Sequence, residues 1–325
     1  MPLGFYMSHL LSPSLRVLLE NDLSSGQQVV HMRALAIEKL DADILAEAVN
    51  LFRTQMIPVD LGGAPAIDMC GTGGDRSGSF NISTTASFVA AAAGVPVAKH
   101  GNVSITSKSG GIDLLNALGV KIPDDVAAAQ KQFADHGITF LFAQRFHPVF
   151  RKFIDARRVL AAEGTRTIFN ILGPLLNPAG VQRSIMGVFA PELVKLIAEV
   201  KLRTGTRRAL IVHGGGMDEL TLTGMNIIAE IRNSEIIHST RAPDEFGFAT
   251  CDAIDIAGAD AEENAKITIG ILDGTIQGPR RDIVVLNAAA AIYVHDDQIS
   301  FADAIARARA AIDNGSALAL LQRLK

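Results

Sequence analysis

The chain has 325 residues, 48% hydrophobic and 20% charged, with 30 Lys+Arg against 34 Asp+Glu and a net charge of −4. That length buries a sizeable core and reaches the size at which one core divides into two, while the slight acidity excludes the broad basic surface on which non-specific nucleic-acid binding depends. Cys70 and Cys251 are too few for a disulfide framework or a Cys-x-x-Cys zinc site, and with no secretory pattern in residues 1–11 and no apolar run of roughly 18 residues, a cytoplasmic protein outside the membrane is expected.

The periodicity predicts helices over 14–21, 27–39 and 41–55, the last with Ile44, Leu45, Ala48, Leu51 and Phe52 at three-to-four spacing. Pro58, Gly62 and Gly63 end this helical block. Beyond it, apolar runs at 66–70, 95–98, 138–143, 184–189 and 209–213 read as buried strands. Amphipathic helices alternate with them at 84–93, 113–118, 124–136, 148–162 and 191–204. Such alternation predicts a parallel sheet covered on both faces, with ligands at the carboxyl ends of its strands. Past His213 come shorter strand-like runs such as 227–231, then helices at 261–272, 282–294, 301–313 and 316–324. Pro174 and Pro178 mark a hinge or an inter-domain link.

Four polar segments could carry chemistry. The first strand runs into Gly71-Thr72-Gly73-Gly74-Asp75, followed by Ser79, Asn81, Ser83 and Thr84 at a helix start. Glycines let backbone approach a ligand and a helix N-terminus offers free N–H groups, so the pattern suits phosphate, although a capped tight turn would look the same. It is neither a dinucleotide fingerprint, since Arg76 stands where glycine is needed, nor a Walker A loop, since Ser79 replaces lysine. The second segment, Lys99-His100-Gly101-Asn102 through Ser104, Ser107, Lys108 and Gly111, is dense in donors suited to a polyanion. In the third, Asp218-Glu219 after Gly214-Gly215-Gly216 offers hard oxygen ligands beside a phosphate site, which points to magnesium. The fourth holds His147-Pro148, Arg151, Lys152, Arg157, Arg158 and Arg166; an arginine fork matches a carboxylate, though most of these suit a solvated face equally well.

In their order and spacing, Gly71–Asp75, Phe80-Asn81-Ile82-Ser83-Thr84, Lys99-His100-Gly101-Asn102, Phe146-His147-Pro148, Arg166-Thr167-Ile168-Phe169-Asn170 and Asp218-Glu219-Leu220 resemble the anthranilate phosphoribosyltransferase family over nearly the whole chain. The resemblance implies an α/β fold, with a mostly parallel central sheet flanked by helices and a smaller all-helical domain built mainly from the N-terminus. Residues 1–63 are expected to form that helical domain, joined by part of 164–180, and residues 64–325 the α/β domain. The implied reaction transfers phosphoribose from 5-phosphoribosyl 1-diphosphate (PRPP) to the amine of anthranilate with release of pyrophosphate, on the way to tryptophan. The resemblance also implies Mg2+ as cofactor, a homodimer and no nucleic-acid partner.

Carried over by motif, the PRPP positions are Gly71, Gly74, Asp75, Ser79, Asn81, Ile82, Ser83, Thr84, Lys99, His100, Gly101, Asn102, Ser107 and Gly111. Gly71, Asn102 and Arg157 match the anthranilate contacts, and Ser83, Asp218 and Glu219 the magnesium ligands. Lys99, His100, Asp218 and Glu219 are the expected catalytic set. The chain departs from the family pattern at Val103, where arginine is usual, at Gly111, and around Ala161, Ala162 and Glu163, where extra residues leave Arg158 as the alternative to Arg157. Rival readings are a transferase of this fold for another aromatic amine and a non-catalytic relative that binds nucleic acid.

Overall fold

A computed structural model describes residues 13–104 and 108–325. Three helices open it: α1 (Pro13–Glu20), α2 (Ser25–Ala34) and α3 (Ala42–Arg53). Ser24 caps α2 in a reciprocal capping box with Gln27, and the Asp41 side chain accepts from the Ile44 N–H to start α3. Residues 35–36 break the helix predicted through 39, and only a short 3-10 turn, Ile37–Lys39, follows. There the chain leaves the helix to bridge Ala36 to Thr167.

The strands are β1 (Ile67–Met69), β2 (Val97–Gly101), β3 (Ile138–Phe142), β4 (Arg183–Gly187), β5 (Arg208–Gly214), β6 (Asn226–Arg232) and β7 (Glu235–Arg241). They form one seven-stranded sheet in the order β3-β2-β1-β4-β5-β6-β7. Pairing is parallel from β3 to β5 and antiparallel across β5-β6-β7. The antiparallel β7 is absent from the expected strands. Its hairpin turns at Asn233-Ser234, both at positive φ (52° and 62°), a geometry that matches strand twist and is tolerated by asparagine.

The intervening helices are α4 (Ile82–Ala92), α5 (Gly111–Ala117), α6 (Val126–His136), α7 (Ala143–Phe146), α8 (Ile154–Ala162) and α9 (Leu193–Arg203). Four more, α10 (Ala261–Leu272), α11 (Pro279–His295), α12 (Phe301–Asp313) and α13 (Ser316–Arg323), end the chain. The helix predicted over 148–162 begins as a 3-10 turn, Pro148–Phe153, with Pro148 at its first position, and is α-helical only from Ile154.

Strand side chains alternate between faces. Ile67, Met69, Ile185, Leu210 and Val212 join α4, α5 and α10–α13 in one core, whereas Met186, Val188, Ala209 and Ile211 join α1–α3, α8 and α9 in another. The small residues Ala288–Ala291 are fully buried, so α11 lies close against its neighbours. Among the described residues no helix is long and apolar enough to cross a membrane.

The strand order decides where a ligand can sit. From β1 the chain passes to β2 on one side, whereas β4 pairs with β1 on the other, so the loops after β1 and β4 diverge and open a crevice at their carboxyl ends.

Candidate active site

The loop after β1 fills that crevice. Thr72 N–H donates to Gly187 O at 3.0 Å, and Phe189 N–H donates back to Thr72 Oγ1 at 3.0 Å, which pins the loop to the end of β4. The Gly73 N–H donates to Asp218 Oδ2 at 2.6 Å, and the Asp218 N–H donates to Asp75 Oδ2 at 3.3 Å. A Cβ on Gly71 would lie 2.3 Å from Asp218 Oδ2, and one on Gly187 only 1.5 Å from the Asp218 carbonyl oxygen. Absence of a side chain at these two positions is what admits the acidic turn. Arg76 holds φ 61° in the same loop, a left-handed conformation that a side chain disfavours.

Helix α4 starts behind the loop. Asn81 precedes it but does not cap it; its side chain donates to Ser109 O at 3.0 Å and accepts from Asn264 Nδ2 at 3.0 Å. The helix therefore begins with backbone donors facing the crevice. Ile82 is buried in the core, so only its backbone belongs to the site, and Ser79 lies on the outer rim with its hydroxyl 3.1 Å from that of Ser77. Thr84 is also buried, its hydroxyl 3.0 Å from where a Cβ on Gly111 would stand. Thr84 thus occupies the space that a side chain at Gly111 would need.

Lys99, 5% exposed, reaches from β2 to the same helix start, donating to Met69 O and to Ser83 Oγ, the latter at 3.1 Å. His100 points to the opposite sheet face. It is 2% exposed, has Nδ1 3.1 Å from Gly173 O, and packs against His147 with ring centroids 5.0 Å apart and planes tilted by 59°. From His147 the rings continue through Phe150 at 5.8 Å to Phe52 at a further 5.0 Å, linking β2 to α3. Structure therefore separates Lys99 and His100, which the sequence presents as neighbours.

After Gly101, Asn102 Oδ1 accepts from the Val103 N–H at 2.9 Å, and Asp113 Oδ2 accepts from both Ser104 and Gly110 N–H at 2.8 Å. These bonds close the second loop at its base. Ser107 lies outside the described residues. Arg157 and Arg158 differ in setting: Arg158 has a side chain 76% exposed and pairs with Asp155 at 3.1 Å, whereas Arg157 is half-buried, with its pKa lowered by that burial. The extra residues at 161–163 complete α8, and Glu163 takes a two-oxygen contact with Arg33 on α2 at 2.5 and 2.6 Å.

Asp218 and Glu219 both have pKa values raised, first by burial. For Asp218 the next cause is the negative charge of Asp75, and for Glu219 that of Asp218, while Lys99 pulls Glu219 the other way. The Ser83 N–H is bonded to the Glu219 carboxylate, so this hard-oxygen pair sits at the α4 start.

Arg166, one of several arginines of the fourth segment, and Gly187, outside the expected set, also meet the glycine loop and the acidic turn. Arg166 donates to Gly74 O at 2.8 Å and lies 3.8 Å over the Phe189 ring, while its own carbonyl accepts from Ile37 N–H at 3.1 Å. It ties the helical layer to the glycine loop. Its signal was available in the Arg-Thr-Ile-Phe-Asn segment; Gly187 had none, because its constraint comes from a residue 31 positions later, Asp218.

Burial lowers the His100 pKa to about 4 and the His147 pKa to about 3. A base depressed in the folded state stabilises fully above its ordinary value near 6.5 and loses that contribution as pH falls through the folded value. Each histidine should therefore withdraw about 2 kcal/mol between pH 7 and pH 5. Urea unfolding of wild type and His147→Leu across this range checks the value for His147: between pH 7 and pH 5 the variant should lose about 2 kcal/mol less than wild type, and identical pH dependences would refute the assignment.

The sequence profile of the glycosyl transferase family, a/b domain, matches residues 63–318. An anthranilate phosphoribosyltransferase of Syntrophotalea carbinolica is 47% identical over 283 residues, 87% of this chain and 77% of that one. The crystal structure of the Thermus thermophilus anthranilate phosphoribosyltransferase superposes with a TM-score of 0.83 at 35% identity, covering 96% of this chain and 98% of that one. The Saccharomyces cerevisiae enzyme in complex with PRPP and Mg gives a TM-score of 0.85 at 29% identity, covering 96% and 89%.

Proposed function

The chain belongs to the anthranilate phosphoribosyltransferase family, and on that premise we propose that its crevice transfers phosphoribose from PRPP to the amine of anthranilate, releasing pyrophosphate as a step towards tryptophan. The observation that carries this reading is the bond from Gly73 N–H to Asp218 Oδ2, which joins a phosphate-type loop to an acidic pair across 145 residues of chain. The test is direct: protein, magnesium, PRPP and anthranilate are mixed and the loss of anthranilate fluorescence is followed. No loss at high enzyme concentration would overturn the assignment.

In this reading Gly74 and Asp75 of the first loop and Thr84 at the α4 start offer backbone donors to the phosphates, since the Thr72 and Gly73 N–H groups are spent on Gly187 O and Asp218 Oδ2. Gly101, Asn102 and Gly111 contribute from the second loop, and Ser107 is the hydroxyl that the family pattern assigns to the same phosphates. Lys99, already positioned by Ser83 and Met69 O, offers its charge to oxygens of the leaving pyrophosphate. Asp218, Glu219 and Ser83 would hold Mg2+, which when bound supplies charge neutralisation of the departing diphosphate. Gly71, Asn102 and Arg157 orient anthranilate so that its nitrogen faces C1 of the ribose, and this placement is the main catalytic task of the protein. His100, neutral down to about pH 4, acts as a buried hydrogen-bonding group rather than a base at neutral pH.

Arg157→Ala should raise the KM for anthranilate about ten- to a hundredfold, the value of one charge-assisted hydrogen bond, and leave that for PRPP within about twofold. Arg158→Ala should change neither by more than about twofold, since an exposed pair such as Arg158–Asp155 contributes little. Steady-state kinetics of both variants decides between them; the reverse pattern would move the acceptor contact to Arg158.

The same proposal divides the chain at 63/64 into a helical and an α/β unit and places the enzyme in the cytoplasm as a homodimer. Val30 on α2 and Ile154 and Val159 on α8 are exposed apolar residues on adjacent helices, which suits a face covered by a second copy. Light scattering checks this, and a mass of one chain would remove it.

A further inference from the structure

The opposite face of β1 holds a second cluster of charge that the transfer reaction does not use. An inner chamber of about 10 Å³ lies beside the segment 174–181, lined by Asp68, Arg53 and Lys201, and a recess of about 170 Å³ shares Arg53, Thr204 and Thr206 with it. Lys201 projects from α9 and is 7% exposed, yet among the described residues its ammonium makes no hydrogen bond or close ion pair. Arg53, at the end of α3, spends one donor on Thr204 O at 2.9 Å. The one carboxylate present, Asp68, is itself buried and already accepts from the His100 N–H at 3.0 Å.

Burying an ammonium without partners is costly, so a chamber built this way calls for an opposite charge. Burial lowers the Lys201 pKa to about 8, with Asp68 drawing it up and Arg53 pushing it down, and burial lowers that of Arg53 as well. Among the lining residues, Arg53 and Lys201 set two positive charges against the single carboxylate of Asp68. Asp68, Cys70 and His100 do lie close enough together to suggest a metal. Three features oppose that: Lys99 and Lys201 both act on this group, His100 Nδ1 is engaged with Gly173 O, and the Cys70 thiol is pushed up to about 12 and stays protonated.

We propose that this chamber is a binding site for a small dianionic oxyanion of the phosphate class, one oxygen entering the inner space to meet Lys201 and the others meeting the Arg53 guanidinium in the recess. The inner space is the size of a single oxygen-centred group, and the arginine fork matches two further oxygens. The occupant joins α3 to α9 and to the segment 174–181, so it braces the helical layer against the sheet. This inference is independent of the transfer activity.

The test uses the full-length chain. Crystals are soaked in selenate, whose anomalous signal should appear within hydrogen-bond distance of Lys201 Nζ. Thermal unfolding is then measured against inorganic phosphate and pyrophosphate for wild type, Lys201→Met and Arg53→Gln. Phosphate held by the substrate loops raises Tm equally in all three, so the expected result is that the variants lose at least half of the wild-type rise. The anion whose rise depends more strongly on Lys201 identifies the source. Equal rises in all three proteins, or a chamber without selenate, would overturn the proposal; the soak needs no variant and stands even where one fails to fold.

Discussion

Asp218→Asn combined with Glu219→Gln is expected to lower kcat/KM by about 10²- to 10³-fold or more, the scale set by removing electrostatic stabilisation from a developing negative charge. Magnesium dependence should disappear with it. The expected stability change has the opposite sign. Both carboxylates are raised in pKa, first by burial and then by a neighbouring carboxylate, so each ionised group is held at a penalty in the metal-free fold. Neutral amides relieve it, and the metal-free double variant should therefore melt above wild type at neutral pH. Magnesium titration of activity and of Tm on both proteins checks the two signs together. A variant that loses activity and also melts lower would mark the pair as structural, and an unchanged magnesium titration would contradict its assignment as ligands.

Gly187→Ala carries the second large effect, although it adds only a methyl group. That methyl would stand 1.5 Å from the Asp218 carbonyl oxygen, which belongs to backbone and cannot rotate aside. Either β4 or the acidic turn must move. Overpacking of a flexible neighbour costs about 1–3 kcal/mol, and with a rigid one a loss of at least about 3 kcal/mol is expected. A shift of about 1 Å at the carboxylates should also cost roughly a hundredfold in kcat/KM. Urea unfolding and kinetics of this variant measure both, and near-wild-type values for both would show that Gly187 and Asp218 do not meet as described.

The two glycine positions at the acidic turn show how differently constraints are written in a chain. Gly71 sits in a glycine-rich loop, so its role near a ligand could be read locally. Gly187 is one glycine at the end of an apolar run, and nothing within several residues of it hints at Asp218. The two basic residues at α8 show the same limit. Arg157 and Arg158 are equivalent by type and spacing, and only the packing of Phe153, Ala156 and Leu160 against the helical layer turns one inward and leaves the other in solvent. Hairpin strand β7 escaped for a related reason: five of its seven residues, including Glu235 and Arg241, are polar or charged, and it stands at the sheet edge, so no buried face imposes a period on it.

Local chemistry written along the sequence determined the alternation of strands and helices, the phosphate-type loop after β1, the donor-rich loop after β2 and the acidic turn after β5, because backbone freedom, capping and apolar periodicity act over a few residues. Tertiary structure alone decided that these three loops meet, that Lys99 and His100 face opposite sides of the sheet, and that Lys201 and Arg53 share a chamber. Those outcomes depend on strand order and on which face of each strand is covered, and both are set by contacts between residues far apart in the chain.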